Sequence, residues 1–183
     1  MPGNEEALDR YVRDTLHWRS PGQDRQARAI TALRIKKAFS LLPKKVLGLF
    51  LSHNRRLTIE VVEDTPIPLG MRTAAEGPAG ARGYTISLHD EELARPEEFF
   101  IGSFLRELGH VVAERPPEDE WPKPRAERAR FKERLESRAD AMVWRWGLRH
   151  YGMIHLSATY PQHRLDAIVA DIARVLLEEE DVY

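Results

Sequence analysis

Apolar residues recur at helical spacing along most of the chain and alternate with polar ones in a few short stretches. Ala27, Ile30, Leu33, Ala38 and Leu41 follow a helical period between arginines and lysines, which predicts a helix over 24–42. Residues 4–19 read as a helix before it, and 44–52 as a short one after the turn at Pro43. The period then changes. Residues 57–63 are rich in β-branched side chains and predict a strand that Pro66 and Pro68 end. Residues 71–75 form a second short strand, and 84–89 alternate as a third. The glycines of 76–83 between them resemble a phosphate loop, but the Gly-Lys-Ser/Thr ending is missing, so the segment reads as a hairpin connection.

Pro96, Glu97 and Glu98 then open a helix, with proline early and acids in its first turn. Phe100, Ile101, Phe104, Leu105, Leu108, Val111 and Val112 give it a buried stripe, and Arg115-Pro116-Pro117 ends it. A long helix is expected over about 126–147 and a last one over about 162–179, with 150–160 unassigned between them. The fold class is therefore α+β: a small, mainly antiparallel sheet between N-terminal and C-terminal helices.

Composition narrows the chemistry. The 183 residues suffice for one domain or one domain with a helical extension, and 42% hydrophobic and 31% charged content is ordinary for a soluble protein. Cysteine is absent, which excludes disulfides, Cys-based zinc sites and a Cys nucleophile, so any metal would need His, Glu or Asp ligands. No Ser/His/Asp triad can be argued from the sequence either. The first residues lack the regions of a signal peptide, and stretches such as 46–51 are too short to span a bilayer. The expectation is a cytoplasmic protein with no membrane partner.

The net charge of −1 conceals an asymmetry. From Arg10 to Arg56 twelve basic residues face only Asp14 and Asp24. Such a stretch can bind nucleic acid or acidic surfaces, or it can balance the acidic remainder of its own chain. No nucleic-acid-binding signature accompanies it, which favours the second reading and leaves the first as an alternative.

The densest chemistry lies at Arg106-Glu107-Leu108-Gly109-His110. Positions i and i+4 project from one helix face, so a His-Glu-x-x-His helix grips a zinc ion with two imidazoles while the Glu takes a proton from its bound water. Here Glu107 and the second His are present, and arginine stands in the first His position. Further along, Glu136 and Asp140 share a face of the next long helix. A Glu followed by His three positions later is common on helix surfaces, and Glu107 and His110 could be ordinary surface residues. The preceding strand, Gly109 before the histidine, Val111-Val112 after it and the second acidic pair argue for more.

Residues from about 57 to 146 resemble the minimal core of the zincin-like metallopeptidases, in the branch whose third zinc ligand is a glutamate. The regulatory peptidases of the ImmA/IrrE type are similar at Glu136-Ser137-Arg138-Ala139-Asp140. The family of anthrax lethal factor and Pro-Pro endopeptidases is similar in the segment that begins Leu42-Pro43-Lys44 and precedes the first strand. The resemblance covers roughly half the chain and implies a zincin-like core over 57–160; the helical pattern and charge outside it give a basic helical segment 1–56 packed on that core and a C-terminal helix in 161–183. It implies Glu107 as general base, His110 and Glu136 as zinc ligands, and Asp140 as the acid that orients the first ligand. That first ligand is Arg106, which stays protonated and has no lone pair to offer a metal.

Two outcomes follow. An active peptidase would need a ligand from His89, His150 or His155, although each is more simply a surface or capping histidine. Alternatively Arg106 extends into the zinc position and donates to Glu136 and Asp140, an ion-pair cluster in place of a metal. The expectation is a degenerate zincin without a cofactor, zinc being the one metal to consider. It would bind protein or peptide along an edge strand with Tyr84, Ile86, Leu88 and His89. Trp144 and Trp146 read as packing residues, as do Tyr151 and Tyr160, whose alternative role is oxyanion donation.

Overall fold

The computed structural model describes residues 2–19, 24–52, 56–62, 70–78 and 81–178. Pro66 and Pro68, expected to end a strand, lie outside these, as do Arg55 of the basic stretch and Glu179 at the end of the last helix. The chain begins with α1 (Pro2–Thr15), a three-residue strand β1 (Leu16–Trp18), α2 (Arg25–Leu41) and α3 (Lys44–Leu51). The Asp24 side chain accepts from the Ala27 backbone N–H at 2.7 Å and caps α2, while Pro43 stands at the start of α3, where its missing N–H costs nothing.

The sheet follows with β2 (Arg56–Val62), β3 (Arg72–Glu76) and β4 (Gly83–His89), in the order β1-β2-β4-β3. Leu57, Ile59 and Val61 of β2 and Tyr84, Ile86 and Leu88 of β4 are all buried, as period-2 alternation requires. The α+β class holds, but the sheet is mixed rather than mainly antiparallel. Only the β3–β4 hairpin is antiparallel; β1–β2 and β2–β4 run parallel. Because β3 lies at the far edge, β4 returns between β3 and β2. Strand β1 was not legible because three residues continue the spacing of α1 and become a strand only by pairing Leu16 with Ile59, far along the chain.

After the single-turn α4 (Asp90–Leu93) come α5 (Glu97–Val112), a 3₁₀ turn at Glu118–Glu120, α6 (Arg125–Arg145), α7 (Arg149–Thr159) and α8 (Gln162–Glu178). Helix α7 fills the segment left unassigned. Phe39 sits at the centre of the main core, edge-on to Tyr11, Phe50 and Phe104 with ring centroids 5.4–5.7 Å apart. Leu8, Tyr11 and Val12 of α1 belong to this same core, so the basic N-terminal segment is built into it. A smaller cluster of Ala141, Leu156, Leu165, Ile172 and Val175 joins α6, α7 and α8. Among the described residues no helix is long and apolar enough to cross a membrane.

Candidate functional site

Helix α5 is buried along most of its length, and its polar residues are buried with it: Glu107 is 4% exposed and His110 1%. Charged groups at that depth need partners. The partners come from α6, which crosses α5 closely because Gly109 has no side chain. A Cβ at Gly109 would stand 2.5 Å from the Ala139 carbonyl oxygen, and one at Gly102 would likewise collide with the Tyr151 carbonyl of α7. The glycine before His110 thus sets the distance between the two helices, and Glu136 and Asp140 flank its contact residue.

At this crossing Arg106 points towards α6. Its Nε donates to Asp140 Oδ1 at 3.0 Å, its Nη2 donates to Glu136 Oε2, and its Nη1 lies 3.6 Å from Glu107 Oε1. His110 Nε2 stands 3.3 Å from Glu136 Oε2. The four positions singled out around Arg106 are therefore brought together, and Arg106 is their hub. The oxygens that the zincin resemblance assigns to metal ligation already accept from a guanidinium. Arg106, which has no lone pair to offer a metal, occupies the Glu136 oxygen nearest His110. Among the described residues no group of three or more His, Asp or Glu side chains is arranged to hold a metal.

Arg115 completes the cluster, and the sequence reading missed it. Its Nη1 donates to Glu136 Oε1 at 3.3 Å and lies 3.4 Å from His110 Nε2. The chain reaches this position by turning back on itself at the end of α5. Glu114 adopts a left-handed conformation, φ 55°, while the Arg115 N–H donates to the His110 carbonyl at 3.0 Å and the Glu114 N–H to Val111 at 3.3 Å. That is the closing pattern usually made with glycine, here carried by a glutamate at some cost in strain. Beyond it, Trp121 is held between two guanidinium groups, those of Arg115 and Arg128, each 5.0 Å from its ring centroid. Its indole N–H donates to the Pro116 carbonyl at 3.0 Å. The signal for Arg115 was available in its place directly after the helix, but only the reversal shows that it faces inwards.

The electrostatics follow from burial and proximity. Burial opposes the charge of Arg106, yet Asp140, Glu136 and Glu107 outweigh it and raise its already high pKa. Burial also opposes the charge on Glu136, but the His110 hydrogen bond with Arg106 and Arg115 holds its carboxyl well below the usual range. Asp140 is deeper, and burial pushes it up against the pull of Arg106. His155 of α7 lies beside the cluster, its Nδ1 2.8 Å from Ser103 Oγ. Burial and the nearby Arg106 push its imidazole down to about 3, against an opposite pull from Glu136.

The other expected residues fall elsewhere. His89 is buried at the end of β4, and His150 is exposed, 4.0 Å from Glu98. Trp144 packs between the two cores with Arg149 over its ring, and Trp146 and Tyr151 pack against the main core. Tyr160 packs on the smaller core and is close enough to act electrostatically on Arg106. The edge-strand assignment needs correction. Tyr84, Ile86, Leu88 and His89 belong to a strand paired on both sides, and all four are buried. The edge beside α5 is β3, tied to it by Thr73 Oγ1, which donates to the Glu107 carbonyl at 3.2 Å. Between β3, α5, the Arg115–Trp121 segment and α6 lies a cavity of about 400 Å³, into which Arg106, Glu107, His110 and Glu136 face.

Comparison with protein-family models, with curated proteins and with solved structures finds no match to this chain.

Proposed function

We propose that this protein is a degenerate zincin-like module, in which a guanidinium–carboxylate cluster replaces the metal and the cleft binds a peptide or protein segment without hydrolysing it. One observation carries the reading: Arg106 donates to both Glu136 and Asp140, the two acids that the resemblance assigns to zinc and its support. The fixed cation neutralises buried carboxylates as a metal would, but it offers no coordination position at which water could be activated. Glu107 then has no metal-bound water to deprotonate. Its carboxylate instead lies beside Arg106. Among the described residues β3 pairs with a strand on one side only, which leaves one row of backbone groups for an extended ligand, and this needs no metal.

Metal analysis of the purified protein, repeated on Arg106→His, tests the reading. The expected result is no stoichiometric zinc in the parent and zinc bound by the variant, whose new imidazole lies beside His110 and Glu136. Stoichiometric zinc in the parent, or chelator-sensitive cleavage of an unstructured protein, would sink it and favour an active peptidase with an unusual ligand set.

A further inference from the structure

The cavity over the cluster has two layers of charge. Its floor is balanced: Arg106 and Arg115 are answered by Glu136, and Arg106 also by Asp140 and Glu107. Its mouth is not. There, among the described residues, Glu118 is the one carboxylate that accepts from Arg72 of β3 and Arg128 of α6. Lys132, one turn before Glu136 on α6, lines the same cavity and has no hydrogen bond or ion pair among the described residues. Two of the three cations at the mouth thus share one carboxylate, and the third, Lys132, has none among the described residues. Arg72 engages Glu118 through Nη2 and its side chain is half exposed, so it has further donors for a second acceptor.

The adjoining groove along β3 has the opposite character. Glu76, Glu118, Asp119 and Glu120 line it together with Arg72 and Arg115, which pair with Glu118 and Glu136. Arg82 answers Glu120, and among the described residues Glu76 and Asp119 are left without an ion pair. The acidic side excludes a polyanion. A nucleic-acid strand, with a phosphate at every residue, would meet the acidic groove as soon as it extended past the mouth. A single carboxylate placed on the α6 side, followed by neutral or basic groups, meets favourable charge throughout.

We propose that the mouth of this cavity, at Arg72, Arg128 and Lys132, receives a single carboxylate of a peptide segment whose neighbouring residues are neutral or basic. The assignment rests on the reading of the cleft as a binding site and names its ligand class. Lys132 is the residue to alter, because it is exposed and supports nothing else.

The test measures fluorescence anisotropy of two labelled, amidated peptides, Gly-Ala-Glu-Ala-Lys-Ala and its twin with Gln for Glu, against the full chain. The Glu peptide is expected to bind about tenfold more tightly, the worth of one charge-assisted pair, with the advantage shrinking as sodium chloride is raised. Lys132→Glu should abolish the advantage while leaving the thermal midpoint unchanged. Inorganic phosphate should displace the peptide only weakly. Equal binding of the two peptides, an advantage that survives in Lys132→Glu, or phosphate binding as tightly as the peptide overturns the charge assignment and leaves the binding reading standing. Binding of neither peptide overturns both.

Discussion

The basic stretch between Arg10 and Arg56 and the cluster around Glu136 are the two charge-dense regions of the chain, and they lie in opposite environments. In the first, Lys36 reaches Glu5 and Asp9 of α1, Lys37 reaches Glu97 of α5, and Arg19 reaches Glu60 of β2. Lys37 and Glu97 are each about half exposed, at 50% and 46%. Water and salt screen such pairs, and holding two long side chains together offsets most of the gain. In the second, Arg106 is 11% exposed and Asp140 4%. There each charge is removed from water and must be answered by another, so the loss of one partner leaves a cost that solvent cannot relieve. Charge density alone therefore says little; burial decides whether it constrains the structure.

The strongest way to break this contrast is Glu136→Ala. It removes the acceptor of both Arg106 and Arg115 and should cost about 3 kcal/mol of stability in urea denaturation. A loss no larger than that of an exposed pair would mean that the cluster is well solvated and the contrast false.

Acid titration sharpens it next. The folded His155 pKa, about 3, lies below the unfolded value of about 6.5, so the unfolded chain binds the extra proton between them. Stability from this group is complete above the unfolded value and is lost as pH falls towards 3. The slope should be about 1.4 kcal/mol per pH unit in that window, and His155→Gln should remove it. The depressed Glu136 carboxyl starts to lose its contribution below the unfolded carboxylate value of about 4.3 and goes on losing it at lower pH, so His155 acts without it above that value. Asp140, raised by burial, opposes that trend. An unchanged slope between pH 6.5 and 3 in His155→Gln would show that the imidazole is not shielded as its burial requires.

The smallest effect is expected from Lys37→Ala, which should leave the urea midpoint where it was at any salt concentration. A clear shift would make the exposed pairs as consequential as the buried ones.

Much of the helical framework was legible because its signal is local. The stripe from Phe100 to Val112 fixes which face of α5 is inward, and i, i+4 spacing aligns Arg106 with His110 and Glu136 with Asp140 whatever surrounds them. Strand alternation was equally clear in β2 and β4. The sheet order was not, because parallel pairing of β2 with β4 depends on where β3 goes. For the same reason β4 was mistaken for an edge: alternation describes the faces of a strand and is silent about its neighbours.

The sequence by itself determined which charged residues share a helix face and that Arg106 cannot ligate a metal, since both follow from local geometry and the chemistry of one side chain. Only the tertiary structure decided that these faces meet. Arg106 and Asp140 are 34 positions apart, and Arg115 and Glu136 are 21. They meet because Gly109 admits the Ala139 backbone and because Glu114 turns the chain back towards the cluster. Those are contacts between distant segments, and no local period encodes them.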